Sequence, residues 1–227
     1  NHMEGHILAH FIDEGKKMPR FPFLCLTVSG GHTQIVKIES TSKMQVIGTT
    51  IDDAAGEAFD KSAKILKLPY PGGPLIDKYA ANGDIHAFKF GEPKVKGLDF
   101  SFSGLKTSIL YKIQNNLQKN PNFIKENLED LCASIQHSIV TILLEKLQKD
   151  IQKTGIKEIA IAGGVSANSY LRNELQKLAN DKKYKLYIPK FEYCTDNAAM
   201  IAISGYFKYL NKDFASQGET PSASLAF

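Results

Sequence analysis

Two histidines near the start of the chain are spaced to hold a metal ion. His2 and His6 lie four residues apart in "HMEGH", so on a helix they share one face, with Cβ atoms about 5–6 Å apart. That spacing allows two imidazoles to bind one ion, as in HExxH helices. Glu4 stands two residues after His2 and faces away, so the base of a metallopeptidase is not where it is needed. With two histidines alone, an exposed His-rich helix is the favoured alternative.

A carboxylate near the other end of the chain is a candidate third ligand. Asp196 lies in "CTDNAAM", where a helix is predicted to begin. Thr195 or Asp196 could instead cap that helix, and on the residues alone capping is favoured. His10, four residues after His6, is assigned to surface or packing.

A glycine-rich turn, "VSGGHTQ" (28–34), joins two predicted strands. Gly30 and Gly31 allow positive φ and leave backbone N–H groups unobstructed, so the turn can cradle an anion. Three flanking side chains would add hydrogen-bond donors: Ser29, His32 and Thr33. A plain hairpin turn is the alternative.

A second glycine-rich turn, "AGGVSAN" (162–168), lies between a predicted strand and a predicted helix. Ligands of α/β folds bind at the carboxyl ends of strands, and such a turn lets a nucleotide approach closely. Gly163 and Gly164 could equally serve close packing. Asn168 would suit a purine or ribose, or it could be an exposed polar residue of the first helical turn. Two such turns in matching places together favour a nucleotide cleft.

An acidic stretch, "DDAAGEAFDK" (52–61), opens another predicted helix. Some of its carboxylates can share a face that points into a cleft. Without further information they are interpreted as a solvated acidic face. They are Asp52, Asp53, Glu57 and Asp60.

The first half of the chain is predicted to place three strands between helices. Short connections indicate antiparallel hairpins, apolar spacing of 3.6 residues indicates helices, and three prolines with two glycines indicate a loop at 68–74. The predicted strands are 23–28, 33–39 and 44–49, and the predicted helices are 2–13, 52–66, 74–81, 103–117 with Ser103 as its cap, and 123–153.

The second half alternates strands with helices. Strands are predicted at 157–163 and 185–189, and helices at 166–179, capped by Ser166, and at 195–210. Three antiparallel strands, a helix and two further β-α units are the order of an RNase H-like domain, the unit of actin-like ATPases and sugar kinases. We therefore predict an α/β fold, a mixed sheet with helices on both faces and a helical insertion near 67–125.

Composition limits the classes of protein and partner. The 227 residues are 43% hydrophobic and 23% charged, with a net charge of +4, which permits a nucleic-acid partner without requiring one. The lysine-rich "NDKKYK" (180–185) is interpreted as a solvated loop rather than a binding patch. Cys25, Cys132 and Cys194 are far apart, which argues against a disulfide framework and suits the cytosol. The sequence has no apolar run of the ~20 residues that a membrane helix needs.

Seven collinear motifs resemble the bacterial TsaD family, whose eukaryotic and archaeal relatives are the Kae proteins and which was formerly described as a glycoprotease. They are "NHMEGH", "FPFLCLTVSGGHTQIV", "IDDAAGEAFDKSAKIL", "YPGGP", "DFSFSGLKT", "IAGGVSANSYLR" and "CTDNAAMIA". The resemblance implies a tRNA-modifying enzyme of the actin-like ATPase superfamily. Such an enzyme moves a threonylcarbamoyl group from threonylcarbamoyl-AMP to the adenosine 3′ of the anticodon, in tRNAs that read codons beginning with A.

The resemblance also implies roles for individual residues. His2, His6 and Asp196 match the family's metal ligands, for one iron or zinc ion. The positions that match its substrate-binding residues are Thr27, Val28, Ser29, Gly30, Gly31, Asp60, Gly73, Asp77 and Asn168. Implied partners are tRNA and two proteins, the actin-like scaffold TsaB and the ATPase TsaE, in the cytoplasm.

One departure concerns the family's first lobe, which precedes "NHMEGH" and bears a phosphate loop that is not in this sequence. We expect a truncated chain that is inactive alone, with the general base unidentified. Residues 1–20 would be a remnant of that lobe, 21–212 the second lobe and 213–227 a tail. Two alternatives stay open: a metallopeptidase, and a non-catalytic actin-like scaffold subunit, which would not need to keep metal ligands.

Overall fold

A five-stranded mixed sheet forms the centre of the protein in a computed structural model that describes residues 1–12, 15, 17–93 and 95–220. The strands are β1 (Phe23–Val28), β2 (Thr33–Ser40), β3 (Lys43–Thr49), β4 (Glu158–Ala162) and β5 (Lys185–Tyr187). Their order is β3-β2-β1-β4-β5. The pairs β1–β2 and β2–β3 are antiparallel, whereas β1–β4 and β4–β5 are parallel. The predicted RNase H-like arrangement and the predicted hairpins are confirmed.

Helices cover both faces of the sheet, as predicted. They are α1 (His2–Leu8), α2 (Ala55–Ile65), α3 (Gly72–Ala80), α4 (Ser103–Leu117), α5 (Phe123–Glu126), α6 (Leu128–Thr154), α7 (Ser169–Lys182) and α8 (Ala198–Leu210). Alternate residues of β1 point to opposite faces. Phe23 and Cys25 pack with Ile7 of α1, while Leu24 and Leu26 join the larger core of α2 to α7.

The predicted boundaries of α1 and α2 and the predicted cap of α4 need correction. Helix α1 ends at Leu8 and continues as a single 3₁₀ turn, Ala9–Phe11, whereas the helix was predicted to reach residue 13, which lies outside the described residues. Helix α2 starts at Ala55 rather than 52, because Asp52 accepts hydrogen bonds from the N–H groups of Phe102 and Ser103. The Asp52 carboxylate thus accepts from the first N–H groups of α4. The Ser103 side chain makes no capping hydrogen bond, so the prediction that Ser103 caps α4 is wrong.

Two further predictions differ in the helical segment. The loop predicted at 68–74 ends early, since α3 already begins at Gly72. The single helix predicted at 123–153 is two helices, which are separated at Asn127. Helix α6 ends at Thr154 and is followed by Gly155, whose φ of 70° is the left-handed conformation that glycine adopts at helix ends.

The last two β-α units match the prediction in order, with shorter strands. A 3₁₀ turn, Gly164–Ala167, precedes α7, and Asn168 rather than Ser166 caps that helix. The predicted cap at Ser166 is therefore wrong. Residues 213–220 of the predicted tail form no helix or strand, and 221–227 lie outside the described residues.

Cys25, Cys132 and Cys194 are free and buried. Among the described residues, no helix combines the length and the apolar character needed to cross a bilayer.

Candidate functional site

Helix α1 brings His2 and His6 together on one face, as their spacing predicts. The Asn1 side chain caps the helix by accepting a hydrogen bond from Met3 N at 2.9 Å. The two imidazole rings lie with their centroids 6.0 Å apart. His6 is only 3% exposed, whereas His2 is open to solvent.

Asp196 meets His6 across the junction between α1 and α8. Its Oδ1 lies 2.9 Å from His6 Nε2, although 190 residues separate the two in sequence. Asn197 caps α8, because its Oδ1 accepts a hydrogen bond from Met200 N at 2.9 Å. The capping role predicted for Thr195 or Asp196 is therefore wrong. The Asp196 side chain stays 79% exposed and is free to bind a ligand.

Gly5 allows this junction to be close. A Cβ at Gly5 would lie 3.1 Å from the Met200 carbonyl oxygen of α8, which is tighter than ordinary van der Waals contact. The glycine between the two histidines therefore lets α8, and with it Asp196, approach α1. Gly5 has no role predicted from the sequence, and the signal that points to it is a glycine inside a helical pattern.

Electrostatics keep His6 in the neutral form that binds metals. Burial lowers the pKa of His6, the nearby His2 lowers it further, and Asp196 acts in the opposite direction without reversing the shift. His6 Nδ1 is buried and has no hydrogen-bond partner among the described residues. A neutral imidazole whose Nε2 faces a carboxylate, beside a second imidazole, is a donor set that suits zinc or iron.

The three predicted ligands do not yet form a closed cage. Across the described ranges, no group of three or more His, Cys, Asp and Glu side chains is close enough to hold an ion as it stands. His6 and Asp196 are in hydrogen-bonding contact, and the centroid of the exposed His2 ring lies 6.0 Å from that of His6.

The two remaining residues near this helix have other roles. His10 Nε2 lies 2.9 Å from the Ile161 carbonyl oxygen, and burial lowers the pKa of His10 to about 4, which fits its predicted packing role. Glu4 lies 4.0 Å from Lys208 of α8 and so is directed toward that helix. It is not placed as a metallopeptidase base.

The turn between β1 and β2 lies next to the histidines. Ser29 N donates to His32 O at 2.8 Å, and His32 N donates to Ser29 Oγ at 3.0 Å, which closes the turn. The His32 ring centroid is 5.7 Å from that of His2. The sequence predicts His32 only as a donor of the turn, and its contact with His2 follows from the packing of α1.

Gly30 and Gly31 serve the turn by leaving space rather than by unusual backbone angles. Neither has a positive φ, contrary to the reason predicted for them. A Cβ on either would meet nothing within 4 Å, so their backbone is uncovered. The side chains of Thr27 and Val28 are buried in the sheet, which leaves only their backbone for a ligand.

The second glycine-rich turn lies at the same edge of the sheet, because β1 and β4 are parallel neighbours. Gly163 has a φ of 87°, and a Cβ there would lie 2.5 Å from the Val28 carbonyl oxygen. Helix α2 approaches the first turn equally closely, since a Cβ at Gly56 would lie 2.5 Å from Ser29 O. Both glycines pack the turns together, and Gly56 was not foreseen.

Four of the predicted substrate residues form one connected wall. Asp60 Oδ1 accepts from Gly72 N at 2.8 Å and from Gly73 N at 3.2 Å. Asp77, one turn beyond Gly73 on α3, accepts from Ser169 N at 3.0 Å and Ser169 Oγ at 2.8 Å. The structure brings these residues together, with Asn168 next to Ser169.

Asn168 is held inside the protein. It is 9% exposed, its Oδ1 accepts from Leu171 N at 2.9 Å, and its Nδ2 donates to Gln136 Oε1 at 2.6 Å. The alternative of an exposed first-turn residue is therefore wrong. Its side chain fixes the start of α7 at the edge of the wall.

The acidic stretch is not a simple solvated face. Asp52 holds the segment before α4, and Asp53 pairs with Lys61 at 2.8 Å and Lys106 at 3.4 Å. Burial acts to raise the pKa of Asp53, but the two lysines outweigh it and the pKa is lowered. These carboxylates attach "DFSFSGLK" to α2.

Known proteins resemble this chain in sequence over most of its length. The family model described as "TsaD: tRNA N6-adenosine threonylcarbamoyltransferase" matches residues 1–203. A protein of that name from Christiangramia forsetii is 60% identical over 100% of this chain and 67% of its own length. One from Riemerella anatipestifer is 57% identical over 98% of this chain and 66% of its own. The chain thus spans about two thirds of the length of these curated relatives.

Solved structures share the fold at low sequence identity. Full-length HypF in a phosphate- and nucleotide-bound form has a TM-score of 0.68 at 12% identity, over 94% of this chain and 36% of that chain. HypF of T. kodakarensis has a TM-score of 0.61 at 13% identity, over 93% and 37% of the two chains. At such identities the likeness shows the fold alone.

Proposed function

Because the chain belongs to the TsaD family of tRNA N6-adenosine threonylcarbamoyltransferases, we propose that its site serves threonylcarbamoyl transfer from threonylcarbamoyl-AMP to an adenosine of tRNA. The observation that carries the proposal is one contact chain: Asp196 to His6 at 2.9 Å, His6 to His2, and His2 to His32 of the glycine turn. These imidazole and carboxylate groups lie beside an uncovered backbone turn, which supports the proposal. The turn would bind the phosphate of an anhydride donor, and the side chains would hold a Lewis-acidic ion.

The substrate phosphate would be bound by the turn from Val28 to His32. Gly30 and Gly31 leave its backbone open, and successive N–H groups of such a turn attract anions. AMP is a good leaving group, so the protein mainly has to position the two reactants and stabilise charge.

The nucleoside of the donor would lie along the wall of Asp60, Gly73, Asp77 and Asn168. Three of these side chains already bond within the protein. We propose that they shape and stiffen the wall, and that the partly exposed Asp60 and Asp77 use their remaining acceptor capacity for hydroxyl groups.

His2, His6 and Asp196 would hold the metal ion that the family resemblance implies. When bound, iron or zinc would supply Lewis acidity to the carbamoyl or phosphate oxygens. His6 is preset for this by its neutral form and by its Nε2, which lies 2.9 Å from Asp196 Oδ1. The aryl amine of the adenosine, as the nucleophile, would approach from the open side, where His2 and Asp196 are exposed.

The resemblance also supports a cytoplasmic protein that works with two partners, a TsaB-like actin-like scaffold and a TsaE-like ATPase. A metallopeptidase is not favoured, because Glu4 is directed toward Lys208 and the relatives carry a transferase name.

Metal content and transfer test the proposal together. We expect His2→Ala to lose bound metal and to lose transfer of labelled threonylcarbamoyl from threonylcarbamoyl-AMP to tRNA, in the protein assayed with its partners. The fold should be unchanged, since His2 is exposed. His86→Ala is the matched control, because His86 is an exposed histidine remote from α1 in sequence. Equal metal content in both variants would contradict the assignment.

A further inference from the structure

The segment 188–197, between β5 and α8, contains Asp196 and must be held in place if that carboxylate is to bind an ion. It includes the 3₁₀ turn Phe191–Tyr193. Its last residues are fixed by Asn197, whose Nδ2 donates to the Thr195 carbonyl oxygen at 2.8 Å. The position of Asp196 therefore also depends on what holds the residues before it.

Arg172 of α7 holds this segment from the side of the second glycine-rich turn. Its Nη2 donates to the Pro189 carbonyl oxygen at 3.1 Å and to Cys194 Sγ at 3.2 Å. Its Nε donates to the Ser166 carbonyl oxygen at 2.6 Å. A guanidinium presents its N–H groups in one rigid plane, so a single side chain ties residues 189 and 194 to the glycine-rich turn.

Cys194 is the contact of Arg172 that lies nearest in sequence to the metal ligand Asp196. Its thiol is buried, accepts a hydrogen bond from Arg172, and donates to the Lys190 carbonyl oxygen at 3.4 Å. The Phe191 ring lies over the same guanidinium, with its centre 5.7 Å from the guanidinium carbon, which is a cation–π distance. The 3₁₀ turn is thus fixed to α7 at a point two residues before Asp196.

The backbone of Arg172 connects the same residue to the proposed nucleoside wall. Arg172 N donates to the Asn168 carbonyl oxygen at 3.2 Å. Asn168 directly follows the 3₁₀ turn that contains Ser166, the residue to which the Arg172 side chain bonds. Arg172 therefore links two parts of the candidate site, the wall through its backbone and the segment before Asp196 through its side chain.

We propose that Arg172 is a positioning residue that holds Asp196 within reach of His6 by fixing Cys194, an inference that rests on the proposed function because it concerns the same metal ligands. Asp196 Oδ1 lies 2.9 Å from His6 Nε2, yet the Asp196 side chain is 79% exposed. Surrounding side chains therefore do not confine the carboxylate. Its position is set by the backbone, which Arg172 holds before Asp196 and Asn197 holds after it.

Zinc affinity of the full-length protein tests this inference, measured by competition with a chromophoric chelator. Arg172→Met keeps an unbranched side chain but removes every donor. It should weaken Zn²⁺ binding about tenfold, the low end of what the outer-shell partners of metal ligands contribute. Arg172→Lys keeps one nitrogen and should recover part of the affinity.

The thiol gives a second pair of variants that does not alter α7. Cys194→Ala removes the acceptor of Arg172 and should also weaken Zn²⁺ binding. Cys194→Ser keeps a donor and an acceptor at the same place and should restore the affinity. Because the effect of Arg172 passes through Cys194, the double variant Arg172→Met/Cys194→Ala should bind Zn²⁺ no more weakly than Arg172→Met alone.

Amide hydrogen exchange of the metal-free protein measures the hold itself. Tyr193 N and Cys194 N donate to the carbonyl oxygens of Lys190 and Phe191 at 3.0 and 3.2 Å, so these two amides report opening of the 3₁₀ turn. Arg172→Met should speed their exchange about tenfold or more, because hydrogen bonds from a charged donor no longer stabilise the closed turn.

Leu175→Val is the matched control for a loss of stability alone. Leu175 lies on α7, three residues after Arg172, and is 1% exposed. The smaller side chain loosens the packing of α7 and leaves the hydrogen bonds of Arg172 in place. This variant should unfold at a lower urea concentration, with wild-type Zn²⁺ affinity and wild-type exchange of the Tyr193 and Cys194 amides.

Three outcomes would overturn the inference. They are wild-type amide exchange in Arg172→Met, wild-type Zn²⁺ affinity in Arg172→Met, and an equal loss of Zn²⁺ affinity in Leu175→Val. The His2→Ala variant distinguishes this failure from that of the proposed function. If His2→Ala loses Zn²⁺ while Arg172→Met keeps it, only the positioning role is wrong. If the wild type and His2→Ala bind Zn²⁺ alike, the metal site itself is wrong and the positioning role fails with it.

Discussion

The two glycine-rich turns contain the same signal in sequence, but their glycines serve different purposes. Both turns lie at the carboxyl ends of neighbouring parallel strands. In the first, a Cβ on Gly30 or Gly31 would meet nothing within 4 Å. In the second, Gly163 has a φ of 87° and lies so close to Val28 that a Cβ would be 2.5 Å from its carbonyl oxygen.

This difference separates access for a ligand from packing of the protein. Gly163 is explained entirely by backbone conformation and close contact, so its presence says nothing about a nucleotide. No packing contact explains Gly30 and Gly31, and a substrate phosphate would explain them. Evidence for binding is therefore strongest where no contact within the protein explains a residue, as at Gly30 and Gly31.

The largest effect is expected from Gly163→Ala. A left-handed backbone costs a non-glycine residue roughly 1–2 kcal/mol, and overpacking against Val28 adds about 1–3 kcal/mol. We expect the free energy of unfolding to fall by about 4 kcal/mol in urea denaturation. Gly164→Ala is the control, since nothing lies within 4 Å of a Cβ there, and equal loss in the two variants would remove the distinction.

A smaller loss is expected from Asn168→Ala in the same turn. Removing the cap of α7 costs about 1 kcal/mol, and leaving the buried Gln136 amide without its partner adds about 1–2 kcal/mol. The free energy of unfolding should fall by about 2–3 kcal/mol.

The half-buried cap Asn197 on α8 provides the comparison for Asn168. Its capping hydrogen bond from Met200 N is as long as that of Asn168, at 2.9 Å. Unlike Asn168, it does not also bond a buried side-chain amide. Asn197→Ala should therefore cost only about 1 kcal/mol. If Asn168→Ala lost nucleotide affinity without losing stability, Asn168 would serve ligand binding, as proposed for Gly30 and Gly31, rather than packing.

Much of the fold could be predicted because its signals are local. Short runs with strand character and the short turns between them define β1, β2 and β3, and the order of the later β-α units fixes the sheet. The errors come from contacts between distant residues. Asp52 was assigned to α2 because it adjoins a helical pattern, yet it bonds to Phe102 and Ser103, about 50 residues later. Ser166 and Asn168 are both good caps, and only the position of the 3₁₀ turn selects Asn168.

The candidate site divides in the same way. The spacing of His2 and His6 predicts a shared helix face without further information. Pairing with Asp196 across 190 residues followed only from the family resemblance, because no local pattern links the two ends of the chain. His32 and Gly56 could not be placed, since their contacts depend on how α1 and α2 pack against the first turn.

The smallest effect, and the one that most directly tests the open turn, is expected from Gly31→Ala. The added methyl meets no protein atom within 4 Å and the φ is not positive, so the free energy of unfolding should change by less than about 0.5 kcal/mol. The same methyl would stand over backbone N–H groups that we assign to the substrate phosphate. AMP affinity, measured by calorimetry, should therefore fall about tenfold, which corresponds to about 1.4 kcal/mol. Gly205→Ala on α8 adds the same methyl into open space and should leave AMP affinity unchanged. Lost stability with unchanged AMP affinity in Gly31→Ala would show that the first turn, like the second, keeps its glycines for packing.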